Sequence, residues 1–372
     1  MGYDERMEPR SEGGVPRTQT NPIAQAQAWP LIDPVLGLRV WGSSICHRFP
    51  ASFDTLSIGS SGCDITLASR FVSQHHATVE HRGSHLLLVD HGKNHTWSGG
   101  LPHQVIPLVP GKDVDLGGVK LVAYSARTEE LRFGFQRYLG YSENAEREVD
   151  AALSAAMRRA HMALLAPAKA GAAALARYAH ESGPGRTWPF VVVEERLPTE
   201  RDRQRALLED AAFGTLVIRA EHLPRELAFL RSELERDLFQ VRLILLAPPE
   251  TGLDALVGHK LVQNLAIVEV PPLTTRTGDL ARIVKETVAH HAAIAGAPSQ
   301  PLEADDFSKL EALGRKTSHD ELDETARRLV SVRLFGVNGA SRRLEIEPST
   351  MSRYLRRRGF TIKRGTTGKA SR

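Results

Sequence analysis

Residues 166–171 combine residue types that hold phosphate groups, because Lys169 and Gly171 lie there between an apolar run and an alanine-rich run. A phosphate loop needs glycines whose backbone N–H groups surround the phosphates, a lysine for the β- and γ-oxygens, and a hydroxyl for magnesium. Here Pro167 removes one backbone donor, and Gly171 is the single glycine of the segment. The start of an alanine-rich helix packed on a sheet explains the segment better, with a displaced phosphate lysine at Lys169 as the alternative.

Positive charge concentrates near the end of the sequence. The chain carries a net charge of +4, but after position 341 only Glu345 and Glu347 oppose a run of basic residues, namely Arg342, Arg343, Arg353, Arg356, Arg357, Arg358, Lys363, Arg364, Lys369 and Arg372. A local field of this sign suits a polyanion.

Histidines recur in one part of the chain, at His75, His76, His81, His85, His91, His95 and His103. Their spacing follows strand and turn positions and matches no zinc template, so we predict solvent-facing imidazoles and no metal. The two cysteines, Cys46 and Cys63, are too few for a disulfide scaffold and lack metal-site spacing.

Short apolar runs separated by Gly, Ser, Asp and His turns fill residues 36–126 and predict an all-β sandwich. The segment contains a set of spaced motifs: Ile58-Gly59, Asp64-Ile65, Ser73 and His76, Leu88-Val89-Asp90, and Asn94 and Thr96. With these motifs it resembles a forkhead-associated (FHA) domain.

The resemblance implies binding of phosphothreonine peptides by loops at one end of the sandwich. Ser73 would donate its hydroxyl to the phosphate, Asn94 would hold the peptide backbone, and Thr96 completes the Asn-x-Thr motif of the peptide site. His76 would brace the loops from behind, and Gly59 would have a structural role.

The same segment departs from the family pattern at the phosphate pocket. Ser60 and Gln74 replace arginines, His95 replaces a glycine, and Gly99 replaces an asparagine. Without its arginine the pocket loses a charge-assisted contact, for which Arg70 is a candidate substitute. Two outcomes remain open: phosphothreonine binding, or a remodelled protein-binding surface that does not require phosphate.

Residues 164–190 resemble the start of an NtrC-like AAA+ ATPase domain, with 174–180 and Pro189-Phe190 in register with its helix and turn. Residues 241–247 and 264–273 match two further strands of that family. The resemblance implies an α/β core over 161–318 with a helical lid that opens at Asp279-Leu280.

The nucleotide-contact positions of that family are replaced here. Ala172 lies at the phosphate-loop lysine, Arg219 and Ala220 at the acidic pair, Val262 at the arginine that reaches a neighbour's nucleotide, and Asp320 at the second sensing arginine. The strands at 191–193 and 214–218 are too close in sequence for the GAFTGA loop that contacts the sigma factor. We therefore expect a degenerate AAA+ core, with no catalytic residues and no cofactor. A weak, atypical ATPase that uses Lys169 and Glu221 out of register is the alternative.

Residues 324–360 resemble the Fis-type helix-turn-helix that ends such regulators. Two helices would be held together by apolar contacts, from Ala340, Leu344, Ile346, Met351 and Leu355. Pro348 suits the first position of the second helix, whereas Glu345 occupies the place of the usual turn glycine.

On this resemblance the second helix would contact double-stranded DNA. Base edges would be met by its first half, at Ser349, Thr350, Ser352 and Arg353, and phosphates by the basic residues that follow, at Arg356, Arg357, Arg358 and Lys363. Fis-type units generally work as dimers, so we expect a homodimer or a larger homo-oligomer.

The composition fits a multidomain chain, since it has 372 residues and 25% of them are charged. Neither a membrane span nor an apolar signal core is recognisable, so we expect no membrane partner and a cytoplasmic location. The remaining ranges are predicted as a flexible tail (1–35), linker helices (127–160), an all-α helix-turn-helix unit (319–362) and a basic tail (363–372).

Together these patterns predict a transcription regulator with an FHA sandwich, an ATPase-dead AAA+ scaffold and a helix-turn-helix. Its partners would be DNA and a protein, the latter carrying phosphothreonine if the pocket still requires it. A phosphothreonine-reading scaffold without sequence-specific DNA binding is the other hypothesis.

Overall fold

The computed structural model describes residues 33–83, 85–224, 228–297 and 301–362. The predicted basic tail, with Lys363, and nearly all of the predicted flexible tail lie outside these ranges. Within them, no helix is both long enough and apolar enough to cross a membrane.

The first domain is a sandwich of two β-sheets. Its strands are β1 (Gly37–Val40), β2 (Cys46–Arg48), β3 (Thr55–Gly59), β4 (Ile65–Thr66), β5 (Ala77–Arg82), β6 (His85–Asp90), β7 (Thr96–Ser98), β8 (Leu101–His103), β9 (Val105–Leu108), β10 (Asp113–Leu116) and β11 (Val119–Tyr124). One sheet has the order β2-β1-β11-β10-β7-β8 and the other β4-β3-β5-β6-β9. Alternate side chains point inward, and Leu38, Ile58, Leu88 and Leu116 form part of the shared core.

Two helices, α1 (Ala126–Leu139) and α2 (Glu146–Arg158), connect the sandwich to the next domain. The Ser125 side chain caps α1 by accepting a hydrogen bond from the Thr128 N–H. Arg39 donates to Glu129 at 2.7 Å, and the Gly42 N–H donates to Asp150 at 2.7 Å, so both helices are bonded to the sandwich. Their apolar faces belong to the core of the following α/β domain, and residues 127–160 are therefore packed elements rather than a free connection.

The central domain is built on a parallel sheet of order β13-β14-β15-β12-β16. In chain order its elements are β12 (Met162–Leu165), α3 (Ala172–Ser182), β13 (Phe190–Val193), α4 (Arg201–Asp210), β14 (Thr215–Arg219), α5 (Ala228–Arg236), β15 (Arg242–Ala247), α6 (Leu253–Val257), α7 (His259–Gln263) and β16 (Ala266–Glu269). Every residue of β15 is buried, as expected for a parallel strand covered on both faces.

Four helices complete the described chain: α8 (Leu280–Ile294), α9 (Ala304–Gly314), α10 (His319–Leu344) and α11 (Pro348–Arg357). The predicted boundary between the central domain and the helix-turn-helix unit lies between residues 318 and 319. Ser318 does cap α10 there. However, one apolar core, including Leu280, Leu310 and Leu329, extends across this boundary. The lid helices and the final helix pair therefore form one packed unit. Gly336 interrupts α10 with φ 67°, so residues 337–344 form a separate short helix before α11.

Candidate functional site

Two loops at one end of the β-sandwich are hydrogen-bonded to each other. The Ser73 hydroxyl oxygen accepts from the Lys93 N–H at 3.2 Å, and Asn94 Nδ2 donates to the Phe71 carbonyl at 2.7 Å. Because the Ser73 oxygen is the acceptor in this contact, the hydroxyl hydrogen is still available to donate to a ligand. The structure thus brings the predicted pair Ser73 and Asn94 together on one surface.

His76 lies directly behind this surface and is fully buried. Its Nδ1 accepts from the Ser73 N–H at 3.1 Å, so the neutral ring carries its proton on Nε2, which is 3.8 Å from Asp90 Oδ1. Gly92 packs against the other side of the ring, where a Cβ would approach Nε2 to 2.6 Å. His76 thereby fixes the position of the Ser73 backbone.

Thr96 is not at the peptide surface, which corrects its predicted place among the peptide-binding residues. It is fully buried, and its hydroxyl donates to Asp90 Oδ1 at 2.8 Å. In β7 its side chain points inward, as alternate residues of a strand must. Thr96 supports the loop through Asp90 and does not contact a peptide.

Gly59 is required by the close approach of two backbones. A Cβ at this position would lie 1.9 Å from the Gln74 carbonyl oxygen. The next residue, Ser60, donates its N–H to the Ser73 carbonyl at 2.9 Å. Position 60, where the family carries arginine, is therefore adjacent to the Ser73 loop.

Basic residues lie on the two loops that carry Ser73 and Asn94. Arg70 is exposed and its guanidinium lies over the exposed ring of Phe71, 4.6 Å from the ring centroid. Lys93 is also exposed, and the rings of His75 and His91 are 5.2 Å apart. The loop end therefore offers hydroxyl and amide groups beside positive charge, a combination that suits a phosphorylated peptide.

The loop of residues 166–171 lines a cavity of about 430 Å³ at the carboxyl ends of the parallel strands. Lys169 and Arg219 line it, but so do Glu221 and Asp320. Burial raises the pKa of the Asp320 carboxyl, and the Arg219 and Lys169 charges act in the opposite direction. Lys169 and Glu221, the residues of the weak-ATPase alternative, do line one cavity. A phosphate bound there would meet two carboxylates, those of Glu221 and Asp320.

Gly171 has φ +92° and packs against a buried histidine, His319, at the start of α10. Both ring nitrogens of His319 lack a hydrogen-bond partner among the described residues. Its ring lies 4.9 Å from that of Tyr138, and burial lowers its pKa to about 3. The loop is thus backed by a neutral, packed side chain.

The last two helices meet across the turn that follows Leu344. Glu345 takes the left-handed conformation with φ 53°, which a glycine would adopt without strain. The Glu347 carboxylate caps α11 by accepting from the Thr350 N–H at 2.9 Å. The apolar contacts predicted for this pair share one core, with Ala340, Met351 and Leu355 fully buried and Leu344 and Ile346 partly buried.

The outer face of α11 carries most of the predicted DNA-contacting residues. Ser349, Thr350, Arg353, Arg356 and Arg357 are exposed, and Ser352 is half-buried. The Ser349 hydroxyl donates to Glu347.

Arg358 differs from the other predicted phosphate contacts. Its guanidinium forms an ion pair with Glu321 at 2.5 Å and lies 3.7 Å from the centroid of the Tyr354 ring. The pairing with Glu321 joins α11 to the first part of α10, so Arg358 holds the helices together instead of projecting freely.

The comparisons with known proteins identify the first domain. A sequence model of the FHA domain matches residues 56–117, so the chain contains an FHA domain. No curated protein sequence matches the chain.

Solved structures similar to this chain include EmbR from Mycobacterium tuberculosis in complex with a low-affinity phosphopeptide, at 22% identity over 24% of each chain and a TM-score of 0.23. An FHA domain from Chlamydia trachomatis is 25% identical, over 24% of this chain and 94% of that chain, with a TM-score of 0.22. NtrX from Brucella abortus, in complex with ADP, is 18% identical over 62% of this chain and 72% of that chain, with a TM-score of 0.32.

Proposed function

We propose that this protein is a DNA-binding transcription regulator whose FHA domain docks a phosphothreonine-containing protein. In this account the central domain is a degenerate AAA+ scaffold without ATPase activity, and α11 is the DNA-contacting helix. The protein is therefore not an enzyme, and it acts in the cytoplasm as a homodimer or larger homo-oligomer.

The exposed face of α11 is the observation that carries the DNA-binding proposal. Met351 and Leu355 anchor the inner face of this helix, while Arg353, Arg356 and Arg357 project outward. Three exposed arginines on a short anchored helix form an electrostatic footprint for the DNA backbone. Ser349 and Thr350 lie in the first turn of the helix and Arg353 at its middle, and the N-terminal part of this helix reaches base edges in helix-turn-helix proteins.

The arrangement of the FHA loops supports the proposed protein partner. Ser73 retains a hydroxyl hydrogen to donate, and Asn94 holds the neighbouring loop close to it. Because position 60 is a serine, the expected phosphopeptide affinity is weak, with Arg70 and Lys93 as the nearby sources of positive charge.

The charges of the central cavity support the absence of ATPase activity. Phosphoryl transfer depends on cations that neutralise the phosphates and on a carboxylate-held magnesium ion. Here Arg219 occupies the end of β14, while Asp320 presents a carboxylate to the same cavity. A strand, a loop and a helix follow one another as in an ATPase, but the charges are misplaced for its chemistry.

Selection from a random pool of DNA duplexes tests this function. The full chain should enrich a motif with two half-sites about ten base pairs apart, or a multiple of that distance. A variant with Arg353, Arg356 and Arg357 all changed to Ala should enrich nothing, and a matched variant with Arg201, Arg203 and Arg205 of α4 changed to Ala should behave as the wild type.

A phosphothreonine-reading scaffold without sequence-specific DNA binding remains the second candidate, because the FHA surface stands independently of α11. Failure of the wild type to enrich any sequence, together with retained phosphopeptide binding that requires Ser73, would select it.

A further inference from the structure

A second large cavity lies at the amino ends of the parallel strands. The loop of residues 166–171 lies at their other, carboxyl ends. Its volume is about 740 Å³, which is within the range of small-molecule sites. The FHA domain contributes Val109, Pro110 and Lys112, and the rest of the lining comes from the end of α2 and from the central domain. A molecule in this cavity would therefore touch both domains.

Arg242, the first residue of β15, is the most unusual group of this lining. It is only 3% exposed. Its Nε donates to the Ala160 carbonyl at 3.1 Å and its Nη1 to the Ala179 carbonyl at 3.2 Å, but Nη2 has no hydrogen-bond partner among the described residues. Burying an unpaired polar group is costly, and a buried cation normally has a carboxylate partner.

The charges around Arg242 do not balance it. Basic residues of the lining are Lys112, Arg158, Arg159, Arg242 and Lys260, against the acidic residues Glu235 and Asp237. Lys260 is paired with Glu235 at 2.8 Å, and Arg158 is paired with Asp113 at 3.1 Å. Over the described ranges, Lys112, Arg159 and Arg242 have no carboxylate within ion-pair distance, so the interior of the cavity is positive.

The titration of these groups agrees with excess positive charge. Burial and, to a smaller extent, the nearby Arg159 charge lower the pKa of Arg242 to about 9. Burial likewise lowers the pKa of Arg159 to about 10, although Asp237 opposes the shift. A bound anion would favour the charged form of both groups.

The remaining walls are apolar or hydrogen-bond donating. Trp188 lies under Arg159, with the guanidinium 4.1 Å from its ring centroid, and Met157 and Leu234 add hydrophobic surface. His161 accepts the Leu243 N–H at Nδ1, so its neutral ring has a donor at Nε2.

We propose that this cavity binds a small organic anion, with its acidic group at Arg242 and its apolar body against Trp188. The site is independent of DNA binding and of the phosphopeptide surface. Because Lys112 belongs to the FHA domain, occupancy would also fix the contact between that domain and the central domain.

Anilinonaphthalene sulfonate, which joins one sulfonate to an aromatic body, is a suitable probe for the full chain. We expect saturable binding of one probe per chain, with tryptophan-to-probe energy transfer that Trp188→Phe reduces, since Trp188 is the tryptophan in the cavity lining. Arg242→Met should weaken binding by at least about tenfold, the loss expected for a charge-assisted hydrogen bond. Arg203→Met, on the exposed face of α4, should leave it unchanged.

Two further measurements keep the test decisive if Arg242→Met does not fold. Lys112→Met, at a half-buried position, should weaken binding about threefold, since one partly screened charge is lost. Phenylnaphthylamine has the same ring body without the sulfonate and should bind at least about tenfold more weakly than the sulfonate. Equal binding of the charged and neutral probes, or equal binding by wild type and the cavity variants, would overturn the proposal.

Discussion

Two buried histidines, His76 in the FHA domain and His319 behind the central loop, lie under segments that the sequence relates to phosphate binding. Both are almost completely inaccessible, at 0% and 1% exposure. His76 accepts a hydrogen bond from the backbone of Ser73. By contrast, His319 packs on Tyr138 with both nitrogens unpaired among the described residues.

The contrast shows that two buried histidines behind loops can have different structural roles. In the FHA domain the buried ring is part of a polar network that fixes a donor at the surface. In the central domain the buried ring fills space behind Gly171, so the loop is supported as part of a core. A loop whose donor is held by hydrogen bonds, as at His76, suits ligand binding. A loop that rests on a packed ring, as at His319, suits a scaffold.

The largest expected effect is a loss of unfolding free energy at low pH, caused by His319. Its folded-state pKa of about 3 lies below its ordinary value near 6.5. The unfolded state therefore takes up the proton first, so this contribution to stability is complete above pH 6.5 and is lost as the pH falls. The loss is about 1.4 kcal/mol per pH unit, or about 3 kcal/mol between pH 7 and pH 4.5.

His319→Leu removes the titrating group, so it should remove this loss and flatten the pH dependence by that amount. Urea unfolding at the two pH values measures it, with His259→Leu, at an exposed position, as the control. An unchanged pH dependence would mean that His319 is solvated or paired in solution.

His76→Leu tests the other half of the comparison at pH 7. It leaves the Ser73 N–H without its acceptor, so we expect a loss of about 2 kcal/mol in unfolding free energy and weaker phosphopeptide binding. His319→Leu should have the smaller effect at this pH, because neither His319 ring nitrogen has a well-formed hydrogen bond among the described residues. Equal effects of the two substitutions on unfolding would remove the distinction between the buried rings.

Ser60→Arg should strengthen phosphopeptide binding by about tenfold, because it adds a charge-assisted contact beside Ser73. A phosphothreonine peptide array followed by calorimetry measures the gain. Ser61→Arg, at the next and exposed position, is the matched control and should change the phosphopeptide affinity little. No gain at position 60 would indicate that the phosphate site lies elsewhere or that the surface binds an unphosphorylated partner.

The smallest effect is expected at the central cavity, where a fluorescent ATP analogue should not bind. Ala172→Lys adds a cation near the loop but leaves Asp320 and Arg219 in place, so it should not create binding. Micromolar binding by the wild type that Lys169→Ala abolishes would replace the scaffold with the weak-ATPase alternative.

The sequence predicted the features that depend on local motifs. The FHA segment and the pairing of Ser73 with Asn94 on one surface follow from short spaced patterns. The apolar contacts across the last turn follow the same logic. The inward direction of Thr96 was missed because an Asn-x-Thr motif marks the family and not the face of a strand.

Other features depend on contacts that no local pattern reveals. Arg358 and Glu321 are 37 residues apart, so their ion pair requires the packing of α11 against α10. The same applies to Arg242, whose partners are Ala160, in the connection before β12, and Ala179, in α3. Residues 127–160 were expected to be linker helices, and only the tertiary structure reveals that their apolar faces complete a core.

Fluorescence anisotropy of a selected DNA duplex with the full chain, at several salt concentrations, tests the central claim most directly. Arg353→Ala should lower discrimination between the selected and a scrambled duplex by about 1–3 kcal/mol. Arg357→Ala should weaken both duplexes alike and reduce the salt slope by about one. Identical losses from the two substitutions, or equal affinity of the wild type for both duplexes, would contradict a sequence-specific regulator.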